Sequence, residues 1–119
     1  MLPKEYRLKK KSAFNATYKV KNSTRTGGVV LFAGLLKTDE NYKTRVGFVV
    51  SKKTHKRAVK RNRLKRLMRE SYRILLKEQQ TGNSQKFMSL IFVGSEQALG
   101  KNFIEMKSII KKLLEGIKC

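Results

Sequence analysis

The segment from residue 52 to residue 73, KKTHKRAVKRNRLKRLMRESYR, combines dense positive charge with apolar residues at helical spacing. It contains eleven lysines and arginines and one acid, Glu70. Such a block repels itself in a folded protein unless a polyanion neutralises it. The pattern therefore indicates a folded nucleic-acid-binding helix and not a disordered basic tail.

We expect this basic helix to cover residues 56–77. At about 100° per residue, its two sides differ in polarity. The side expected to pack on a sheet carries Leu64, Leu67, Met68, Ser71 and Leu75. The opposite side carries Asn62, Arg66, Arg69 and Arg73, with Lys65 beside it. A helix that needs only solubility places Glu and Lys four residues apart, so the lack of acids favours a bound polyanion over a merely solvated face.

The overall composition limits the class of protein. The formal charge of +21 makes nucleic acid the first partner to consider and an anionic membrane the second. No apolar run approaches the roughly 20 residues that span a bilayer, and the N-terminus lacks the apolar part of a secretory signal. Cys119 is the only cysteine, which excludes a disulfide framework and favours the cytoplasm. A single domain over residues 1–119 is expected.

The remaining pattern predicts the order α-β-β-α-β-α, in which the first strand region is long enough to be split. Ser12 is expected to cap a short helix that ends at Lys19. Residues 22–28 and 81–85 are predicted as a turn and a loop, and residues 38–41 as a hairpin turn. Strands are expected at residues 29–36, 45–51 and 86–93.

The last helix is predicted from a capping signal, in which Asn102 is followed three residues later by Glu105. Its apolar residues recur at helical spacing, so we expect one side of the helix to be buried. The residues expected on that side are Phe103, Met106, Ile109, Ile110, Leu113, Leu114 and Ile117.

No catalytic set is convincing. The acids at positions 39 and 40 lie in a predicted turn, where a solvated loop is the better interpretation. His55 lies among cations and suits a surface residue, and neither it nor Cys119 can complete a cysteine-based metal site. Aromatic residues beside a basic surface can stack on unpaired bases, although spacing alone favours the core for them. The aromatic residues concerned are Phe14, Tyr18 and Phe32.

The string SKKTHKRAVKRNRLKRLMRE, residues 51–70, closely resembles the signature of the protein subunit of bacterial ribonuclease P. Its most specific part is the triplet Arg61-Asn62-Arg63. The resemblance extends to RLKKKSAFNATYK and RVGFVVSKK, and covers nearly the whole chain. It implies an α+β fold, an α/β sandwich with the order α-β-β-β-α-β-α. It also implies a four-stranded mixed sheet and a left-handed β-α-β crossover, against the usual hand.

The resemblance also implies a function. Ribonuclease P removes the 5′ leader of precursor tRNA, and in that family the RNA subunit hydrolyses the phosphodiester with bound Mg²⁺. The implied role of this chain is to assist by binding the leader and the catalytic RNA, as one protein per RNA, with no catalytic residue and no cofactor of its own. The implied partners are the ribonuclease P catalytic RNA and precursor tRNA, with no membrane.

Positions that match the family imply two binding surfaces. A leader-binding cleft would comprise Phe14, Tyr18, Phe32, Lys52 and Lys53. A surface that binds the RNA subunit would comprise Arg61, Asn62, Arg63, Lys65, Arg66, Arg69 and Arg73. The chain departs from many relatives after the last strand, where Gly94-Ser95-Glu96 stands in place of a basic residue.

Other functions stay open from composition. A small structural RNA-binding protein of the ribosomal type has the same charge, and only the Arg61-Asn62-Arg63 signature disfavours it. A membrane-surface protein is disfavoured because the apolar side of the basic helix lacks Trp and Phe. A DNA-binding protein is disfavoured because no helix-turn-helix pattern precedes that helix. A protein-only nuclease would need clustered carboxylates, and the eight acids are scattered.

Overall fold

The computed structural model of the protein describes residues 3–39 and 41–118. Within these residues the helices and strands follow the order α-β-β-β-α-β-α. The helices are α1 (Lys11–Lys19), α2 (Ala58–Lys77) and α3 (Phe103–Gly116). The strands are β1 (Asn22–Thr26), β2 (Val29–Ala33), β3 (Arg45–Val50) and β4 (Ser89–Gly94). Short 3₁₀ helices occur at Lys4–Tyr6, Gly82–Lys86 and Glu96–Ala98.

The four strands form one mixed sheet in the order β1-β2-β4-β3. The pairs β1–β2 and β2–β4 are antiparallel, whereas β3 and β4 are parallel. Parallel neighbours need a crossover connection, and α2 supplies it between β3 and β4. The α+β class and the four-stranded mixed sheet are therefore confirmed, while the left hand of the crossover stays a prediction.

One face of the sheet, the core face, is covered by α2 and α3. Alternate residues of each strand point to it, so one row across the sheet consists of Leu31, Phe92 and Phe48. Phe92 is fully buried, with its ring stacked on Phe48 at 5.5 Å and tilted against Tyr72 at 5.7 Å between centroids. This face holds the main hydrophobic core.

The two long helices largely follow the predicted pattern. Four of the five residues predicted for the apolar side of α2 are buried, and Leu67 is partly buried against the core. Tyr72 was not predicted there, yet it is fully buried, and Gln85 donates a hydrogen bond of 2.9 Å to its hydroxyl. In α3 the Asn102–Glu105 capping box forms in both directions. Phe103, the first residue of α3, was predicted to be buried and is 36% exposed.

The prediction of a turn over residues 22–28 is wrong. Asn22–Thr26 is strand β1, paired in register with β2, and only Gly27 and Gly28 form the turn between them. Both glycines have positive φ, 59° and 88°, as the two central residues of a type I′ hairpin turn require. β1 is an edge strand with half-exposed side chains, so a polar sequence is tolerated there.

Several predicted boundaries also differ. Ser12 does not cap α1, because Lys10 occupies that position without a side-chain hydrogen bond. α2 begins at Ala58, two positions after the predicted start. β2 ends at Ala33, and β4 begins only at Ser89, after the 3₁₀ helix Gly82–Lys86 and two further residues.

The turn predicted at residues 38–41 does not join a hairpin. Tyr42 N donates to Asp39 O at 3.0 Å, so the chain does turn there, but β4 lies between the two strands that this turn connects. Residue 40 itself lies outside the described residues.

Candidate nucleic-acid interface

The second face of the sheet, the open face, is covered only in part, by α1. One row across this face consists of Ser23, Phe32, Ile91 and Gly47, and α1 lies over it. The next row consists of Arg25, Val30, Val93 and Val49. The three valines of that second row are half-buried, and no helix covers them completely.

A buried hydrogen bond between Thr17 and Ser89 links α1 to the sheet. Thr17 is 2% exposed, and its hydroxyl donates to Ala13 O at 2.8 Å and lies 2.6 Å from Ser89 Oγ. Because Thr17 uses its only proton on Ala13, Ser89 is the donor in the second bond. Sequence reasoning missed this pair, since nothing in the local sequence links residues 72 positions apart.

Gly47 makes room for Phe14. A Cβ atom at Gly47 would lie 2.5 Å from the Phe14 ring, far inside van der Waals contact. The alternation of side chains along β3 correctly predicted that Gly47 lies on the face opposite Val46 and Phe48. The reason for a glycine at this position is the Phe14 ring of α1. The glycine thus lets the Phe14 ring lie directly on the sheet.

Phe14, Tyr18 and Phe32 all lie on the open face, and their role in binding a leader stays a prediction. The rings of Tyr18 and Phe32 meet edge to face at 5.0 Å, and all three aromatic residues are only half-buried. Burial raises the pKa of the Tyr18 phenol above its usual value, so the hydroxyl remains a hydrogen-bond donor. We call the surface formed by Phe14, Tyr18, Phe32, Val30, Val49 and Val93 the cleft.

Cations border the cleft. Arg25 is exposed in the same row as Val30, and the sequence does not reveal this position because the polar strand β1 resembles a turn. Lys52 and Lys53 are exposed in the turn that follows β3, where Thr54 N donates to Ser51 O at 3.0 Å. This turn leads from the end of β3 to the start of α2. The two lysines therefore lie between the cleft and the basic helix.

Three predicted residues of α2 are exposed, namely Asn62, Arg63 and Arg66. The two arginines make no ion pair with any residue in the described part of the chain. Their guanidinium groups can each hold two phosphate oxygens. We call the surface formed by Asn62, Arg63 and Arg66 the basic face.

The other predicted residues of α2 are partly engaged within the protein. Arg61 Nη1 donates to the carbonyl oxygens of His55 and Lys56, at 2.8 and 2.9 Å, and so fixes the chain before the helix. Arg69 lies over the Phe48 ring at 5.8 Å.

At the outer side of α2, Arg73 forms an ion pair of 3.0 Å with Glu70. The hydrogen bond from Arg73 holds the pKa of the Glu70 carboxyl below its usual value. Lys65 is half-buried, so only part of the predicted set is fully open to solvent.

Two residues of the segment Gly94-Ser95-Glu96, where many relatives have a basic residue, hold the end of β4 in place. Ser95 donates through both its backbone N and its Oγ to Gly28 O, at 2.9 and 2.7 Å. Gly94 is buried, and a Cβ there would lie 2.8 Å from the Leu64 side chain. Ser95 thus links the end of β4 to the β1–β2 turn, and Gly94 allows close packing of β4 against α2.

Among residues 3–39 and 41–118, no group of three or more His, Cys, Asp and Glu side chains is arranged to hold a metal ion. No described helix is long and apolar enough to cross a membrane. The arrangement suits binding of RNA: aromatic rings beside cations stack unpaired bases, and exposed arginines hold phosphates.

Known proteins are similar to this chain in sequence and in fold. A family model described as ribonuclease P matches residues 2–118. The chain is 34% identical over 110 residues to the ribonuclease P protein component of Clostridium kluyveri, covering 92% of each chain. It is 32% identical over 118 residues to the same component of a Pseudanabaena species, covering 99% of this chain and 96% of the relative.

Solved structures agree with the fold. The RNase P protein of Staphylococcus aureus superposes with a TM-score of 0.72 at 25% identity, covering 92% of each chain. The RNase P protein of Thermotoga maritima superposes with a TM-score of 0.76 at 22% identity, covering 95% of this chain and 98% of its own. At that identity the second likeness concerns the fold alone.

Proposed function

Because this chain belongs to the ribonuclease P protein family, we propose that it is the protein subunit of ribonuclease P and assists removal of the 5′ leader from precursor tRNA. The observation that carries the proposal is the cleft, where three aromatic side chains remain half-exposed beside cations. A purely structural face would bury such rings. An unpaired leader strand offers bases to stack on them and phosphates for the cations.

In this account the cleft holds the leader. Phe14, Tyr18 and Phe32 supply the stacking surfaces, and Lys52 and Lys53 attract the sugar-phosphate backbone at the edge. Stacking tolerates any base, so a single cleft can serve leaders of different sequence.

The basic face docks on the catalytic RNA. Arg63 and Arg66 are exposed for phosphate contacts, whereas Arg61 and Arg69 also hold the local structure. Because Lys52 and Lys53 lie between the two surfaces, leader and catalytic RNA would meet along a continuous strip of positive charge. One protein per catalytic RNA suffices for this geometry.

The hydrolysis itself belongs to the RNA subunit in this proposal. The sequence offers no convincing general base, and the described residues contain no group of three or more metal-binding side chains. Mg²⁺ bound by the RNA supplies the chemistry at the phosphodiester. The residues of the protein bind, orient and neutralise, and we infer that they do so in the cytoplasm.

The deciding experiment mixes the chain with a bacterial ribonuclease P RNA and precursor tRNA at low magnesium. We expect cleavage at the mature 5′ end to be faster with the protein than with RNA alone, and absent with protein alone. A small structural RNA-binding protein would bind RNA without this specific stimulation. Cleavage that does not respond to the protein would contradict the proposal.

A further inference from the structure

A pocket of about 340 Å³ opens between the first turns of α2 and the connector from β4 to α3. Its floor is apolar, with Leu64, Leu67 and Leu99 among the lining residues. Lys60 and Arg63 border it on the helix side, and Lys101 borders it on the connector side. None of the described residues that line it is acidic, and its volume lies within the range of small-ligand sites, about 300–1,000 Å³.

The helix-side wall is fixed before any ligand arrives. Arg61 ties the carbonyl oxygens of His55 and Lys56 together, and the backbone N–H of Arg57 donates to His55 Nδ1 at 3.0 Å. Because Nδ1 accepts a hydrogen bond, the neutral imidazole carries its proton on Nε2. The pocket therefore has a flat, oriented ring at one side.

The connector-side wall is fixed as well. Ser95 is hydrogen-bonded to the β1–β2 turn, and Leu99 N donates to Glu96 O at 3.1 Å. The Asn102–Glu105 capping box secures the start of α3 just beyond Lys101. A ligand would enter a pocket that needs little reordering, which favours binding.

We propose that this pocket receives one unstacked base of the catalytic RNA, with the flanking phosphates on Lys60, Arg63 and Lys101. Cations alone would suit any phosphate, but the apolar floor adds a surface for a planar, uncharged ring. The absence of acids among the lining residues makes the charge complementary to RNA. The inference rests on the proposed function and adds a nucleotide-sized site that shares Arg63 with the basic face.

Binding of a base in the pocket is tested first, by titrating the full chain with two small molecules that differ in having a base. Methyl NMR spectra of the leucines would be compared during titration with adenosine 5′-monophosphate and with ribose 5-phosphate. We expect the methyl signals of Leu64, Leu67 and Leu99 to shift with the nucleotide only, because the ring current comes from the base. Equal shifts with both probes, or none with the nucleotide, would overturn the base pocket.

Binding of the catalytic RNA is tested second, with the same charge reversal at a lysine of the pocket and at a lysine outside it. Lys101→Glu is expected to weaken binding of the catalytic RNA about tenfold, and Lys112→Glu, exposed on α3 and outside the pocket, less than about threefold. Leu99→Trp, which fills the pocket without changing charge, is expected to match the loss at Lys101. Thermal unfolding would confirm that each variant is folded.

These outcomes separate the two proposals. If all pocket variants bind the catalytic RNA like the control, the pocket assignment is wrong while the proposed function stands. If the unaltered chain fails to bind that RNA, the proposed function fails.

Discussion

The two faces of the sheet belong to the same four strands but differ in how completely helices cover them. On the core face, Leu31 and Phe92 are fully buried beneath α2 and α3. On the open face, Phe32, Val30 and Val93 stay partly exposed because α1 has only nine residues and covers one row. The core face thus provides the stability of the fold, and the open face remains available to a ligand.

The exposed cations are also divided between the two faces of the sheet. The basic face lies on the outside of α2, above the core face, whereas Arg25 and the aromatic side chains lie on the open face. In our account each side therefore meets a different RNA, the catalytic RNA at α2 and the leader at the cleft.

The largest expected effect is the difference in stability between the two faces. Phe92→Ala removes a fully buried ring in contact with Phe48 and Tyr72, and we expect a loss of about 3–5 kcal/mol in the free energy of unfolding. Phe32→Ala removes a half-buried ring and should cost less than about half as much. Denaturant unfolding measures both, and equal losses would break the comparison.

Phe14→Ala sharpens the functional side of the comparison. Loss of one stacking ring should weaken holoenzyme binding of leader-bearing precursor tRNA by about 1–3 kcal/mol, with little change for mature tRNA. Tyr6→Ala is the matched control, because Tyr6 is also half-buried but packs against the main hydrophobic core and does not belong to the cleft. Equal losses for both tRNAs would count against the cleft assignment.

Arg66→Glu tests whether the basic face of α2 binds the catalytic RNA. Arg66 is exposed and pairs with no described acid, so reversing its charge should weaken the catalytic RNA complex about tenfold and make it less salt-dependent. The control is Lys77→Glu, at the far end of the same helix. Arg69 is a poorer target because it also lies over Phe48. If the Lys77 variant lost as much affinity as the Arg66 variant, docking through the basic face would be excluded.

The smallest expected effect concerns the Glu70–Arg73 pair on the outer side of α2. The pKa of Glu70 is lower in the folded protein, so the pair stabilises the fold above the usual carboxyl pKa and loses that effect as the pH falls through the lowered value. Because both side chains are partly exposed, the contribution should be only about 0.3–0.5 kcal/mol. Unfolding of Glu70→Gln should therefore differ slightly from the unaltered chain near neutral pH and not in acid. A difference that grew in acid would contradict this assignment.

The sequence allowed the prediction of elements whose signal is local. α2 and α3 have apolar residues at helical spacing, and α3 also has a complete capping box, so their extent and buried sides were largely correct. β3 alternates clearly between its two faces. The aromatic residues of the cleft came from the family resemblance, since spacing alone favoured the core for them.

The errors arose where a contact distant in sequence decides the outcome. β1 is polar because it lies at the sheet edge, and no local pattern distinguishes such a strand from a turn. Tyr72 is buried because Gln85 satisfies its hydroxyl, which a helical pattern does not reveal. The roles of Gly47 and Thr17 depend on α1 lying across the sheet.

The central claim is that the leader lies on the open face, and neighbouring residues of β1 test it directly. Ser23 pairs with Phe32 and points to the open face, whereas Thr24 pairs with Leu31 and points to the core face near Gly116. A photoreactive group would be placed at one or the other position in the assembled holoenzyme with precursor tRNA. We predict crosslinks to leader nucleotides from position 23 and few from position 24. Equal crosslinking from both positions, or stronger crosslinking from 24, would contradict the account.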